Sequence, residues 1–239
     1  MATFGVGPGG GMAEGSGSGL SDVPEAGEPP ELTVDLDEAS LLLSAVLRPG
    51  VDIMGWLVVL DELAAECPSP TRGSIIAHLV DTGFTGPTQG YGRWQHSCLD
   101  RVLETRVGLP ISLAIIAIEL GRRLGVELVG VGMPAHFLVG DPNDPEWFAD
   151  PFHGGRILDR RGCRQLFEEL IGDRLGWSDG LLASVNKRQI MLRVLNNLKG
   201  GCLRFGDRLE LAQVMDIRAA LPEFGHEHGE RARSFAVFN

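Results

Sequence analysis

The chain has 239 residues, 44% of them hydrophobic, and a formal net charge of −11, so it can bury a large core as one domain or as a domain with an appendage. The acidity is uneven: residues 1–38 hold eight Asp or Glu and no basic residue, and the remainder is near balance. No basic stripe remains for a phosphate backbone, which argues against a nucleic-acid role.

Residues 1–37 form a glycine-rich acidic tail whose few apolar residues cannot offset the entropy of ordering, and disorder is expected there. Structure is expected from Glu38, where an apolar run through Leu47 is stopped by Pro49-Gly50. Ile53, Trp56, Leu57, Leu60 and Leu63 then step by three and four, the period of one buried helical face. A shorter helix over Ser74–Asp81 precedes a glycine-rich loop, Gly83–Gly92, and Ser97 opens another helix that runs to Glu104.

Ser112–Leu124 reads as a strong helix, with Pro110 just before it and Gly125 at its C-terminal cap. Four extended runs follow: Val126–Gly132, Ala135–Gly140, Glu146–Asp150 and Arg156–Leu158, broken by Pro, Gly and Asn as in an antiparallel sheet. Helix resumes from Cys163, and Val185–Leu198 is amphipathic through Ile190, Leu192, Val194, Leu195 and Leu198. Arg122-Arg123 and Arg160-Arg161 are expected to be solvated. The predicted organisation is a mixed domain over 38–184, a helical segment over 185–221 and a flexible tail over 222–239.

Cys67, Cys98, Cys163 and Cys202 form no Cys-x-x-Cys pair and read as buried free thiols. The N-terminus lacks the basic start and apolar core of a secretory signal, and the longest apolar stretch, Ile111–Ile118, is far short of a bilayer span. A cytoplasmic protein without membrane contact is expected.

The chemistry is concentrated in three segments. Reflecting Ala135–Asp150 about Asn143 places His136 opposite Asp150, and a simple hairpin would let the carboxylate hold one imidazole nitrogen while the other faces a nucleophile. Ser112 lies in the first turn of its helix, where the free backbone N–H groups favour a developing anion. A cysteine there would gain thiolate character, whereas a serine depends on a base to remove its proton. The bland readings are a helix-capping Ser112, a core His136 and a turn-initiating Asp150.

Gly108-Leu109-Pro110-Ile111-Ser112-Leu113, Pro134-Ala135-His136-Phe137-Leu138 and Asp150-Pro151-Phe152 resemble the SirB-type branch of the transglutaminase-like superfamily. The likeness also takes in Ser97-Cys98-Leu99-Asp100-Arg101, Leu60-Asp61-Glu62-Leu63-Ala64 upstream and Met191-Leu192-Arg193-Val194-Leu195-Asn196-Asn197-Leu198-Lys199 downstream, so it covers about residues 39–200. It implies an α+β fold with a papain-like core, a helix packed on a small antiparallel sheet, with helices added at both ends. It also implies Ser112, His136 and Asp150 at the nucleophile, base and orienting-acid positions. Serine is common at the first of these in the branch, while His96 and His153 stand where asparagine is usual.

Two activities remain open on this reading: weak acyl transfer or amide hydrolysis by a Ser-His-Asp triad, or a catalytically silent module that binds a peptide or protein. A third arrangement, a metal site at His136, Asp150 and His153, has suitable ligand types but no fourth ligand. No cofactor is called for.

Overall fold

The computed structural model describes residues 32–172 and 175–227. The expected disorder over 1–37 falls outside the described residues up to position 31, as does the expected flexible tail from position 228. Eight α-helices and a five-stranded antiparallel sheet make up the described residues, an α+β architecture of the kind expected.

The helices start and stop where side chains satisfy their ends. Helix α1 (Leu36–Leu47) begins two residues ahead of the predicted Glu38. In α2 (Ile53–Ala65) Asp52 accepts from the Gly55 N–H, and in α3 (Arg72–Asp81) Thr71 accepts from Ser74. A 3-10 turn over Trp94–Ser97 leads into the short α4 (Leu99–Thr105).

Helix α5 (Pro110–Leu124) opens on proline, whose missing N–H costs nothing in a first turn. It closes on Gly125 at φ +70°, where the Val126 N–H reaches back to the Gly121 carbonyl. Ile111, Leu113, Ala114, Ile116, Ala117 and Leu120 are all buried, so this helix is the axis of the core.

The sheet runs β4-β3-β2-β1-β5, from β1 (Val129–Val131), β2 (Leu138–Asp141), β3 (Asp144–Asp150), β4 (Arg156–Leu158) and β5 (Ser184–Val185). Alternation along the strands gives it two covered faces. Val139 and Ala149 join the core around α5, whereas Leu138, Phe148 and Leu158 pack with Cys163, Leu166 and Phe167 of α6 (Arg160–Ile171). Strand β5 occupies residues that the sequence assigns to the start of a helix. Two residues have little pattern, and pairing with Gly130 and Val131 decides their state.

Helix α7 (Lys187–Phe205) starts on an Asn186–Gln189 capping box, and Ile190, Val194, Leu195, Leu198 and Cys202 enter the same core as α5. Helix α8 (Arg208–Ala219) packs beside it, followed by a 3-10 segment over Pro222–Glu227. Among the described residues no helix is long and apolar enough to cross a membrane.

Arg122 and Arg123 are not simply solvated. Asp37 and Glu119 are buried, and both arginines pair with each of them, while Glu119 also accepts the Leu36 N–H at 3.1 Å. Burial raises the Glu119 carboxyl, and the neighbouring Asp37 charge adds to that. Arg160 does lie near the surface, paired with Glu146 at 2.5 Å. All four cysteines are free, and burial pushes the Cys98, Cys163 and Cys202 thiols up to about 12, so those three are inert at neutral pH.

Candidate functional site

His136 does not lie in a strand. It follows a tight turn at Pro134-Ala135 in which Ala135 takes φ +59°, a left-handed conformation rare for a residue with a Cβ. Surrounding hydrogen bonds impose this geometry. The His136 N–H donates to the Met133 carbonyl at 3.1 Å, and Arg193 Nη2 of α7 donates to the carbonyls of both Met133 and His136 at 2.7 Å. A helix 57 residues away thus braces the loop.

The expected register is wrong by two residues: Val139 faces Ala149 and Gly140 faces Phe148, where reflection about Asn143 would pair Val139 with Trp147. The turn falls within the expected residues but is not centred on Asn143, since Asp141 faces Asp144 where the reflection pairs it with Pro145, and the pairing then shifts through a bulge beside Gly140. Asp150 therefore lies beyond the pairing that was meant to bring it opposite His136. The two side chains meet nonetheless, because the chain bends at the Pro134-Ala135 turn on one side and after β3 on the other. His136 Nε2 lies 2.9 Å from Asp150 Oδ2, with both residues buried.

Asp150 is held from several directions. Its Oδ1 accepts the N–H groups of Phe152 and His153 at 3.1 and 3.2 Å, capping the 3-10 turn Pro151–His153. Its Oδ2 is also 2.6 Å from His153 Nδ1. Burial pushes the carboxyl up, but hydrogen bonds and charge from His136 and His153 outweigh it, and its pKa lies below the ordinary value. The carboxylate is an acceptor only, so the ring nitrogens that face it, His136 Nε2 and His153 Nδ1, act as donors. The two imidazoles stack at 5.1 Å, and the Phe152 ring meets His136 edge-on.

Ser112 is in the third position of α5 and is 2% exposed. Its hydroxyl donates to the His96 carbonyl at 2.9 Å, an oxygen that also accepts the Leu109 N–H at 3.1 Å. The hydroxyl thereby pins the Trp94–Ser97 turn to the head of α5. No hydrogen bond joins Ser112 to His136 among the described residues. His96 Nδ1 is itself buried without a partner, and burial, helped by the Arg93 charge, lowers that imidazole's pKa.

Of the residues singled out in the sequence, His136, Asp150 and His153 are therefore together, and Ser112 is engaged elsewhere. The ligand-type atoms of the first three lie within 4.8 Å of one another, and these are the residues that could hold a metal. An ion there would have to replace the two ring N–H donors that now serve Oδ2.

Beside this cluster opens a cleft of about 310 Å³ between the head of α5, the loop carrying His136, and α7. Tyr91, Arg193, Asn197 and Arg204 line it along with His136. None of the four lining partners was given a role from sequence, although Arg193 and Asn197 lie in the downstream segment that carries the resemblance. In an amphipathic helix such as α7, an arginine that turns inward has no local signal to distinguish it from one that faces water.

Comparison with known proteins matches residues 58–196 to a model of the transglutaminase-like superfamily. A UPF0162 protein of Xylella fastidiosa is 41% identical over 120 residues, 48% of this chain and 43% of that protein. A UPF0162 protein of Pseudomonas aeruginosa is 30% identical over 183 residues, 73% of this chain and 66% of that protein. Human F-box only protein 21 is 29% identical over 124 residues, 48% of this chain and 19% of its own. The chain thus spans less than half the length of the Xylella relative and about two thirds of the Pseudomonas one. No solved structure matches significantly.

Proposed function

Because the chain belongs to the transglutaminase-like superfamily, we propose that it is a peptide- or protein-binding module built on that scaffold, with Ser112 a structural residue and not a nucleophile. The observation that carries this reading is the Ser112 hydroxyl, buried and donating to the His96 carbonyl. A serine poised for attack would offer that proton to His136. The cleft beside His136 is where an extended segment would lie. The match to only a small part of human F-box only protein 21 supports a module that can be set into a longer protein. Resemblance to the SirB-type branch supports the same reading, since serine at this position is ordinary there. The proposal extends to a regulatory role in the cytoplasm.

One observation favours a second reading, acyl transfer or amide hydrolysis. His136 keeps its Nε2 against Asp150, which leaves Nδ1 as the nitrogen able to take a proton. Ser112 would have to leave the His96 carbonyl, pass its proton to Nδ1 and bond Oγ to the substrate carbonyl carbon as the C=O π pair moves onto oxygen; return of that pair breaks the C–N bond, and the amine leaves with the proton held at Nδ1.

Labelling the full chain with serine-directed and thiol-directed acylating probes separates the two. The binding reading expects no adduct on Ser112. An adduct on Ser112 that disappears in both Ser112→Ala and His136→Ala would establish the catalytic pair and overturn it.

A further inference from the structure

We propose that the cleft beside His136 recognises a peptide carboxylate, with Arg193 and Arg204 as its charged contacts, an inference that rests on the peptide-binding reading. Many of the protein's other arginines have an acid beside them, although Arg93 and Arg106 lie over the Phe205 and Phe84 rings instead. Arg48 pairs with Asp100, Arg72 with Asp141 and Asp144, Arg123 with Asp37, and Arg188 with Glu223. Arg193 and Arg204 pair with no carboxylate among the described residues, although the chain as a whole carries an excess of acid. Both line the same cleft, and no Asp or Glu lines it with them.

Arg193 is the more telling of the two. It is half-buried, and a guanidinium removed from water normally has an acid beside it. Its Nη2 is committed to the Met133 and His136 carbonyls, and its carbon centre lies 5.4 Å from the centre of the Phe137 ring. Nη1 and Nε have no acceptor in any hydrogen bond among the described residues. Burial lowers the guanidinium pKa, and the neighbouring Tyr91 offsets it only in part.

Arg204, exposed, makes a 3.5 Å contact to the Tyr91 carbonyl, and its carbon centre lies 6.0 Å from the centre of the Phe205 ring. The Tyr91 phenol, raised by burial despite the Arg193 charge, keeps its proton and is a further donor lining the cleft.

The chemistry selects a carboxylate. A planar guanidinium presents parallel N–H donors that match two carboxylate oxygens, and a partly desolvated cation gains more from such a partner than an exposed one. Two arginines inside a chain of net charge −11 attract a single anionic group locally, whereas the long-range field repels a polyanion. The carboxylate can be the free C-terminus of a peptide or an Asp or Glu side chain within one.

The test immobilises the full chain and passes over it two random octapeptide libraries, one with free C-termini and one amidated, with the retained pools sequenced. Internal carboxylate recognition enriches Asp and Glu in the amidated pool by about threefold or more, the scale of one exposed charge pair. C-terminal recognition retains the free-acid library and not the amidated one.

The affinity of a selected peptide should fall about threefold in Arg204→Gln and about tenfold in Arg193→Lys, which keeps the charge and loses the fork. Should Arg193→Lys unfold the loop, Asn197→Asp places a negative charge on the cleft wall without touching the brace, and should abolish the preference. Peptides retained without carboxylate enrichment, or with affinity indifferent to these substitutions, would overturn this inference and leave the binding reading intact. Retention of no peptide at all would overturn both.

Discussion

The hydroxyl of Ser112 is tied to the main-chain oxygen of His96, 16 residues earlier, at 2.9 Å. With the Leu109 N–H, which donates to the same oxygen, it joins the head of the central helix to the turn before α4. It also commits the proton that a nucleophilic serine would have to surrender.

Ser112→Ala is therefore expected to act on stability. The His96 carbonyl keeps the Leu109 N–H, so the loss should be that of one neutral hydrogen bond, about 1 kcal/mol. A urea melt checks the cost, and peptide affinity measured on the same sample should change by less than about twofold. A large loss of affinity with unchanged stability would place the hydroxyl in the cleft after all.

Asp150→Asn should remove part of the pH dependence of folding. The Asp150 carboxyl is lower in the folded protein than its ordinary value of 3.8, so its stabilising contribution is complete above that value and is lost as pH falls through the folded one. The parent should weaken over that acidic window, and the variant should weaken less. At neutral pH the variant should be less stable by about 2–3 kcal/mol, since its amide nitrogen would face donors from two histidines. Urea midpoints taken across pH 3 to 7 would show it, and parallel curves for the two proteins would refute the assignment.

Gly201→Ala should be costly although the change is one methyl group. A Cβ there would stand 2.6 Å from the Gly92 carbonyl oxygen and 2.8 Å from the Trp94 nitrogen, both backbone atoms that cannot swing aside. Helix α7 would have to move away from the 92–94 segment, at a cost of about 1–3 kcal/mol or more. Because Gly92 and Gly201 both line the cleft, the shift should also alter peptide affinity. Melting temperature and binding read the two effects, and an unchanged melt would contradict the close approach.

Arg123→Met should destabilise the chain far more than a surface arginine would. Its side chain is 12% exposed and pairs with Asp37 and Glu119, each 1% exposed. Arg122 remains to serve them, but the buried acids lose their best-shielded partner, at a cost of about 3 kcal/mol. In a domain of this size that lowers the melting temperature by about 6–12 °C. Restoring stability with the further change Glu119→Gln would identify the stranded charge as the cause.

Much of the frame was legible because its signals are local. Pro110 and Gly125 bracket α5 through the demands of a first turn and a left-handed cap, and the Asp141–Asp144 turn marks its hairpin by its own residue types. Two members of the site were legible for the same reason: each stands in a short segment with chemistry of its own, and their meeting was expected, though by the wrong route.

The reflection about Asn143 fails because a bulge beside Gly140 shifts the pairing, and nothing in the residues announces a bulge. His136 reaches Asp150 from a turn strained at Ala135, and that strain persists because Arg193 holds the loop from another helix. The same distance effect decided Ser112 and the two arginine runs. Pattern indicates that a side chain is polar, but which carbonyl or carboxylate lies within 3 Å of it depends on how α5, α7 and the sheet pack. By itself the sequence determined the elements and the residue types the site would draw on. Tertiary packing decided which of those residues touch, because hydrogen bonds between groups distant in the chain exist only once the core has set their spacing.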